Sequence, residues 1–352
     1  MEFGIFNLMS YRSHPAGVPG VIADMRQMVT LAEDIGIDVA WFAEHHFTNY
    51  SISVSPLMLA AHMAAMTRKI RLGTAVIVLP LYQPMRVAQE IALVDQLSGG
   101  RLVLGVGTGY QPFEFDRLGV DVTRRADIFL HHWDILESAL TRGVVDGGIA
   151  IHVGIPDTPV LLQPVQRPLP PLFVTGGDPR ILARLGGLGA TPFITAGWRG
   201  SQALIQMAHR ARADWTAAGL PGPAKLGVQQ YICVTDSPEE ALIAADCARF
   251  VGRMANGLRA PDIGRNGAMI NAPALPDEPP LETFRDNVII GPASYVIDRI
   301  LAECAAMQPT HYNGFFQFGE LPIQIATRSI EQFGARVLPV LRRELAKTPV
   351  SA

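Results

Sequence analysis

Short apolar runs alternate with amphipathic helical patterns along most of the chain. A run of four to eight apolar residues favours a buried strand, whereas apolar residues spaced three and four apart favour a helix. Eight strands are predicted, at residues 3–8, 39–43, 70–78, 102–106, 172–175, 190–195, 226–234 and 312–318. Nine helices are predicted, at residues 21–36, 55–67, 84–97, 123–140, 179–188, 201–218, 238–256, 292–307 and 323–345. Eight strands alternating with helices predict an α/β fold of the (β/α)8, or TIM, barrel class.

Two stretches interrupt this alternation. Residues 143–171, after strand 4, are rich in glycine and proline and predict a long surface excursion. Residues 257–287, after strand 7, contain five prolines with little periodicity, and such a segment in a compact domain is usually either a functional lid or disordered. Because the alternation resumes after each, neither is a domain linker, and residues 1–352 are predicted to form one domain. The structural rival is a doubly wound sheet, which usually needs fewer strands.

Helix 55–67 is apolar on nearly every face. An outer helix of a barrel should have a polar face exposed to solvent. A helix that is apolar on all faces in that position therefore predicts a subunit interface. We therefore expect a homodimer that forms through this helix.

Composition narrows the functional class. Hydrophobic residues make up 49% of the chain and the net charge is −3, with no basic stripe, which argues against a nucleic-acid surface. The chain does not begin with a signal-peptide pattern, and its longest apolar runs are too short to span a bilayer. Three scattered cysteines without CxxC spacing fit a reducing compartment. The expectation is a cytoplasmic protein that binds neither membranes nor nucleic acid.

Glu44, His45 and His46 form the most informative cluster of the sequence, because they follow directly on the apolar run 39–43. The carboxyl ends of parallel strands are where α/β enzymes place their chemistry, and histidine is the usual base near neutral pH. The alternative is that one histidine packs in the core and the others are solvated. Adjacent histidines on an extended segment point to opposite sides, and no zinc signature occurs, so no metal is expected.

The glycine-rich end of strand 4 holds Gly105, Gly107 and Gly109, with Thr108 and Tyr110 beside them. Alternate glycines let a ligand or another segment of backbone approach closely, and tight packing alone explains them equally well. The segment is not the dinucleotide fingerprint, because Tyr110 occupies the place of its third glycine.

Strand 5 ends in Thr175, Gly176 and Gly177, and Asp178 follows as a predicted helix cap. The free N–H groups of a helix that follows a glycine turn bind phosphate, but a carboxylate at that place would repel it. Phosphate binding and plain capping both remain open for this segment.

Several motifs at consistent spacing closely resemble the bacterial luciferase-like, flavin-dependent monooxygenase family. The resemblance covers most of the chain and is densest over residues 38–110. The matching segments are WFAEHHFT at 41–48, IRLGTAVIVLP at 70–80, PMRVAQE at 84–90, LVDQLSGGR at 93–101, GVG at 105–107 and FFQFGELP at 315–322.

This resemblance implies a (β/α)8 barrel that uses molecular oxygen and reduced FMN, with the flavin supplied by a separate reductase. In such enzymes oxygen adds to carbon 4a of the flavin, and the peroxide oxidises a small substrate such as an aldehyde or ketone. His45 matches the catalytic histidine, which would be a general acid or base, and Glu44 and His46 would support it. The Ala75–Val76 bond matches a non-proline cis peptide that shapes the flavin site.

The remaining site residues are predicted from this resemblance together with the segments described above. Substrate would contact Met9 and Tyr110, and residues 257–287 occupy the place of the mobile lid. Light-emitting members carry an arginine that grips the flavin phosphate where this chain has Thr108, so weaker flavin binding or a replacement cation, Arg180 or Arg199, is expected. Flavin would be bound by Ala75, Val76, Gly107, Thr108, Gly109, Thr175, Gly176 and Gly177.

The sequence leaves two alternative functions open. One is an oxidoreductase that transfers hydride with the deazaflavin F420 on the same barrel. The other is a non-catalytic, flavin-binding partner subunit, although that role predicts a disrupted histidine pair and this pair is intact.

Overall fold

A computed structural model describes residues 1–148, 156–259 and 264–347. All eight predicted barrel strands are present, within a few residues of the predicted bounds at each end, because each is a short run of apolar residues buried on both faces. We number the barrel strands β1 Glu2–Asn7, β2 Val39–Phe42, β3 Arg71–Thr74, β4 Leu102–Gly107, β5 Leu172–Thr175, β6 Thr191–Thr195, β7 Gly227–Val234 and β8 His311–Phe315.

The strands form a closed, all-parallel barrel in chain order. Each pairs with the next one along the chain, and β8 returns to β1 with Phe3 opposite Tyr312. The predicted (β/α)8 barrel is thereby confirmed. Parallel pairing puts the carboxyl ends of all eight strands at one mouth, where the loops that follow them meet.

Twelve helices lie among the described residues, and each of the nine predicted helical segments corresponds to at least one of them. Two short helices, of six and seven residues, were not predicted from the apolar periodicity. The helices are α1 Gly17–Asp34, α2 Pro56–Met66, α3 Pro84–Ser98, α4 Pro112–Arg117, α5 Arg125–Glu137, α6 Pro179–Gly186, α7 Gly200–Ala217, α8 Pro238–Gly257, α9 Leu281–Asn287, α10 Ala293–Met307, α11 Ile323–Gln332 and α12 Leu338–Ala346. In the described parts of the chain no helix is long and apolar enough to cross a membrane.

The predicted third strand, 70–78, is divided in the structure. After β3 ends at Thr74, the Ala75–Val76 peptide bond is cis, as the family resemblance implied, and Ile77–Val78 then pairs with the end of β4. A further short strand, Ile289–Gly291, extends the sheet beside the end of β7.

The interior of the barrel is closed below its mouth by Trp41 of β2, which is fully buried. Its indole N–H donates to Asn313 Oδ1 at 2.7 Å, and its rings lie 4.8 Å from Phe173 and 5.2 Å from Phe193. Gly73 lacks a side chain where the indole passes, since a Cβ there would collide with Trp41. A small residue on β3 therefore makes room for the large one on β2.

Both predicted interruptions contain local structure. In the first, Val144–Val145 pairs antiparallel with Thr158–Pro159, while residues 149–155 lie outside the described part of the chain. In the second, Arg265–Asn266 and Met269–Ile270 form a hairpin ahead of α9, and residues 260–263 lie outside the described part. We call residues 264–287 the insertion.

Candidate active site at the carboxyl end of the barrel

Glu44 lies just past β2 and is buried beneath the mouth of the barrel. Its Oε2 accepts hydrogen bonds from the backbone N–H of Val78 at 3.1 Å and from the Tyr82 hydroxyl at 2.8 Å, and its Oε1 lies 3.0 Å from His46 Nε2. Burial raises the pKa of Glu44, and these three donors oppose that rise. Glu44 therefore contacts His46 and not His45.

The His46 imidazole is held almost entirely by Glu44. Burial alone would lower the pKa of His46, but the hydrogen bond to Glu44 and its negative charge raise that pKa above its ordinary value. Each partner therefore favours the charged form of the other. Glu44 also ties the loop after β2 to the segment after β3, because it accepts hydrogen bonds from Val78 and Tyr82.

His45 faces a different pair of polar residues. Its Nδ1 lies 2.7 Å from the side-chain amide of Gln111 and 3.2 Å from Glu114 Oε1. The same Glu114 oxygen accepts the backbone N–H of His46 at 2.7 Å, so one carboxylate contacts both the His45 ring and the backbone of the next residue. Gln111 and Glu114 are each only 1% exposed. His45 Nε2 has no hydrogen-bond partner within the residues that the structure describes.

Gln111 and Glu114 were missed by the sequence analysis because α4 has only six residues and shows no apolar periodicity. A local signal was nevertheless present. Pro112 occupies the first position of the helix and Glu114 its first turn, where a carboxylate is favoured by the helix dipole. Reading that signal at the end of β4 would have nominated Glu114 as a residue at the mouth.

Aromatic side chains surround the exposed edge of His45. The ring of Tyr50 lies 4.7 Å from the imidazole and that of Tyr110 lies 6.2 Å away, both in edge-to-face orientation. Burial, with Tyr110 and Tyr231 nearby, raises the pKa of Tyr50 well above its ordinary value, so the hydroxyl stays protonated. The predicted substrate residue Tyr110 is thus beside His45 and 40% exposed, whereas Met9 is buried and its carbonyl accepts the Ile52 N–H at 2.9 Å.

The glycines of β4 are explained chiefly by packing. A Cβ at Gly105 would collide with the backbone oxygen of Thr74, and one at Gly107 would lie 2.7 Å from a methyl group of Val76 and collide with the Thr175 hydroxyl. Small residues therefore let the segment around the Ala75–Val76 bond lie close against β4. Of the two explanations that the sequence left open, tight packing accounts for both positions.

Gly176 and Gly177 behave differently, because they border open space. A Cβ at Gly177 would have no heavy atom within 4 Å, and Gly176 has φ +127° with Thr108 Oγ1 as the nearest atom, 3.4 Å from such a Cβ. Asp178 caps α6 as predicted, since its side chain accepts the Arg180 N–H at 2.9 Å. This turn is free to approach a ligand at the mouth.

Both cations that the sequence analysis expected in place of a phosphate-binding arginine have other partners. Arg180 contacts Asp127 at 2.7 Å and Asp178 at 2.8 Å, and the Arg199 guanidinium donates to the Ala196 carbonyl at 3.1 Å. The Thr108 hydroxyl donates to the Gly109 carbonyl at 3.3 Å. Neutral Thr108 lies beside the turn, with its Oγ1 3.4 Å from where a Cβ at Gly176 would be.

The mouth carries buried polar atoms without protein partners, which is the pattern expected where a polar ligand binds. They belong to the loops after β1, β2 and β4: Ser10 Oγ, Thr48 Oγ1 and Gln111 Oε1. Together with the open turn at Gly177, these atoms fit a planar group with several hydrogen-bonding atoms, such as a flavin ring system. Within the described residues no group of three or more metal-ligating side chains occurs.

Comparison with known proteins gives a consistent result. The sequence profile of the luciferase-like monooxygenase family matches residues 1–310. The chain is 35% identical over 353 residues to the uncharacterized protein y4vJ of Sinorhizobium fredii, with 99% of each chain covered. It is 27% identical to the oxygenase component of the flavin-dependent trigonelline monooxygenase of Acinetobacter baylyi, covering 96% of this chain and 95% of the relative.

Solved structures at low identity share the fold. The monooxygenase RslO1 of Streptomyces bottropensis superimposes with a TM-score of 0.79 at 18% identity, covering 97% of this chain and 99% of the other. The oxygenating constituent of 3,6-diketocamphane monooxygenase of Pseudomonas putida, solved with FMN, gives 0.75 at 19%, covering 96% and 98%. The F420-dependent tetrahydromethanopterin reductase of Methanopyrus kandleri gives 0.62 at 19%, covering 97% and 99%. The match over residues 1–310 makes this chain an oxidoreductase of the luciferase-like monooxygenase family.

Proposed function

We propose that the protein is a monooxygenase that uses reduced FMN, delivered by a separate reductase, and molecular oxygen to oxidise a small organic substrate such as an aldehyde or ketone. The observation that carries this proposal is His45, whose Nδ1 is held by Gln111 and Glu114 while Nε2 has no partner among the described residues. A side chain held in this way is suited to moving a proton at a reacting atom. The oxygenase relative from Acinetobacter and the FMN complex from Pseudomonas support the choice of cofactor and the need for a reductase.

Each part of the mouth has a distinct role in this proposal. Bound reduced FMN would supply the electrons that activate oxygen. The ring would lie against Ala75 and Val76, with the turn Thr175, Gly176 and Gly177 and the segment Gly107, Thr108 and Gly109 around the rest of the cofactor. Tyr110 and Met9 would contact substrate, and His45 would exchange a proton through Nε2. Glu44 and His46 would hold the loop that carries His45.

A second candidate is hydride transfer with F420 and without oxygen. The solved F420-dependent reductase from Methanopyrus supports it, because the same barrel accommodates that cofactor there. Its expected signature is binding of F420 in preference to FMN and indifference to air.

One experiment separates the two candidates. Photoreduced FMN, or reduced F420 in a parallel sample, is mixed with the protein without oxygen, binding is measured by fluorescence, and air is then admitted while peroxide release is recorded. The monooxygenase predicts that FMN reoxidation releases peroxide several-fold more slowly than in free solution, and that His45→Gln changes this rate. Tight binding of reduced F420, with FMN reoxidised as though the protein were absent, would establish the hydride-transfer enzyme instead.

A homodimer through α2 belongs to the same proposal. The inner face of α2 is buried, but Met58 and Met66 on its outer face are 72% and 46% exposed. Leu93 and Leu97 of the neighbouring α3 are 46% and 59% exposed. Four large apolar side chains on two adjacent helices form a surface that a second copy of the chain would cover.

A further inference from the structure

The two adjacent histidines contact two different carboxylates. His46 pairs with Glu44 through Nε2, whereas His45 meets Glu114 through Nδ1. The side chain of His45 is 14% exposed, and that of Glu114 only 2%. The ring is therefore anchored at one nitrogen and open at the other.

The two neighbours of His45 Nδ1 make opposite demands on that nitrogen. If the Gln111 amide nitrogen donates at 2.7 Å, Nδ1 must present a lone pair. If Glu114 Oε1 accepts at 3.2 Å, Nδ1 must carry the proton. A hydrogen bond to a charged acceptor is roughly twice as strong as one between neutral groups, and a lone pair aimed at a buried carboxylate is repelled. Glu114 therefore decides the position of the proton.

Gln111 is compatible with a proton on Nδ1 when its side-chain amide is turned over. The amide oxygen and nitrogen have nearly the same size and position, so their order is assigned from the surrounding hydrogen bonds. In the present order the Gln111 Oε1 is buried without a partner. Exchanging the two atoms places the oxygen against the N–H of His45 and removes the conflict with Glu114, and the amide nitrogen then occupies the buried position that has no protein partner.

We propose that Glu114 and Gln111 are positioning residues that hold the proton of neutral His45 on Nδ1, so that Nε2 presents a lone pair at the barrel mouth. His45 then begins as a proton acceptor. The reverse tautomer would make it a donor. This inference concerns the protein alone, and its consequence for turnover rests on the proposed function above.

The other ionisable groups around His45 do not compete for Nδ1. Tyr50 and Tyr110 face the ring edge from the loops after β2 and β4, and the charge of Glu44 is taken up by His46. Arg259 contacts Tyr110, with its guanidinium carbon 5.3 Å from the centre of that ring.

Nitrogen-15 NMR of the histidine-labelled full-length protein tests the tautomer directly. The two ring nitrogens have distinct shifts according to which is protonated, and the His45 signals are identified by their loss in His45→Gln. At about pH 8.5, where neutral imidazole is the ordinary form, we expect the Nδ1–H tautomer to prevail by roughly tenfold or more, as one hydrogen bond to a charged acceptor provides. A wild-type His45 protonated on Nε2 would overturn the proposal, and this measurement depends on no variant other than the one used for assignment.

Two variants and a matched control extend the test. Glu114→Gln keeps the shape but removes the charge, and should lower the tautomer preference roughly tenfold. Gln111→Met should shift it less, because Glu114 remains. Glu303→Gln removes another carboxylate that is 2% exposed and bonded to Gln230 and Tyr312, and should leave the His45 signals unchanged. Equal spectra for Glu114→Gln and the control would contradict the proposal.

The flavin assay distinguishes failure of this inference from failure of the proposed function. If His45 carries its proton on Nδ1 but peroxide release from FMN is the same for wild type and His45→Gln, the positioning stands and the monooxygenase does not. If His45→Gln alters the peroxide release and the proton lies on Nε2, the monooxygenase proposal stands and the positioning proposal fails.

Discussion

The side-chain oxygen of Asn49 accepts a hydrogen bond from the backbone N–H of Ile270 at 2.8 Å. Asn49 also donates its own backbone N–H to the Ala268 carbonyl at 2.9 Å, and its side-chain nitrogen donates to the Tyr11 carbonyl at 2.8 Å. One residue that is 4% exposed thus joins the insertion, the loop after β1 and the loop that carries His45.

Replacing this residue should release the hairpin of the insertion from the mouth. Asn49→Ala removes the side-chain bonds to Ile270 and Tyr11, each worth about 1 kcal/mol, so local opening should increase roughly fivefold or more. Limited proteolysis with mass spectrometry measures the cleavage rate at residues 264–271. Asn266→Ala, an exposed change in the same hairpin, should not raise the rate. Equal cleavage of both variants would contradict a holding role for Asn49.

A second anchor of the insertion should respond to acid. Arg253 binds Glu278 with a 2.7 Å contact between Nε and Oε2, and this hydrogen bond lowers the pKa of Glu278 to about 2. Because the folded pKa is below the unfolded value of 4.5, the stabilisation is complete above 4.5 and is lost as pH falls towards 2. Hydrogen exchange of residues 275–287 between pH 5 and 2 should show this loss.

Glu278→Gln provides the comparison for that anchor. The variant should have lower protection factors than wild type at pH 5, and these should change little on acidification, because its side chain does not titrate. A wild-type protein whose exchange tracks that of the variant at every pH would rule the anchor out.

The Glu44–His46 pair predicts an alkaline loss of stability. Since the folded pKa of His46 is raised, its stabilisation is complete below the unfolded value of 6.5 and is lost as pH rises through the higher folded value. His46→Ala leaves Glu44 buried without its partner, which should cost about 3 kcal/mol at pH 6. Urea unfolding at pH 6 and pH 9 should show the gap between wild type and variant narrowing. His209→Gln, on the exposed face of α7, should unfold like wild type at both pH values.

Two glycine substitutions separate packing from ligand approach. Gly107→Ala would press a methyl group against Val76 and the Thr175 hydroxyl, and overpacking of this kind costs about 1–3 kcal/mol. Gly177→Ala meets open space and should leave the thermal midpoint nearly unchanged. If the turn at Gly177 contacts flavin, the same variant should weaken FMN binding. Unchanged binding would remove Gly177 from the proposed cofactor site.

The proposed dimer can be tested by light scattering at micromolar concentration. Wild type should have twice the chain mass of 38.1 kDa, and Met58→Lys, which places a charge at the centre of the apolar surface, should reduce it to one chain. Val18→Lys changes an exposed apolar residue on α1 and should leave the mass unchanged. A wild-type monomer would eliminate the proposal.

Most of the barrel could be predicted because its signal is local. Each strand is a run of apolar residues between loops, and helices such as α10 show apolar residues at regular spacing with Pro292 at the start. The insertion was harder to predict, because Asn49 and Arg253 hold it from distant parts of the sequence. Its hairpin and α9 therefore leave almost no periodic pattern of their own.

For the candidate site, too, local features could be predicted from the sequence and long-range contacts could not. His45 could be located from its position after β2, and the Ala75–Val76 bond from the family resemblance. The partner of His45 could not, since Glu114 is 69 residues away and the sequence does not specify which loop packs against which. Glu44, adjacent in sequence, was the natural choice, but Tyr82 and His46 occupy its two oxygens.

Trp41 fills the barrel interior beneath these groups, where it contacts Phe173, Phe193 and Asn313. If the proposed function holds, molecules that react at His45 must therefore reach it from the loop side, because the barrel interior offers no route past the indole. The loops that Asn49 joins lie on that side, so its three hydrogen bonds bear on access as well as on stability.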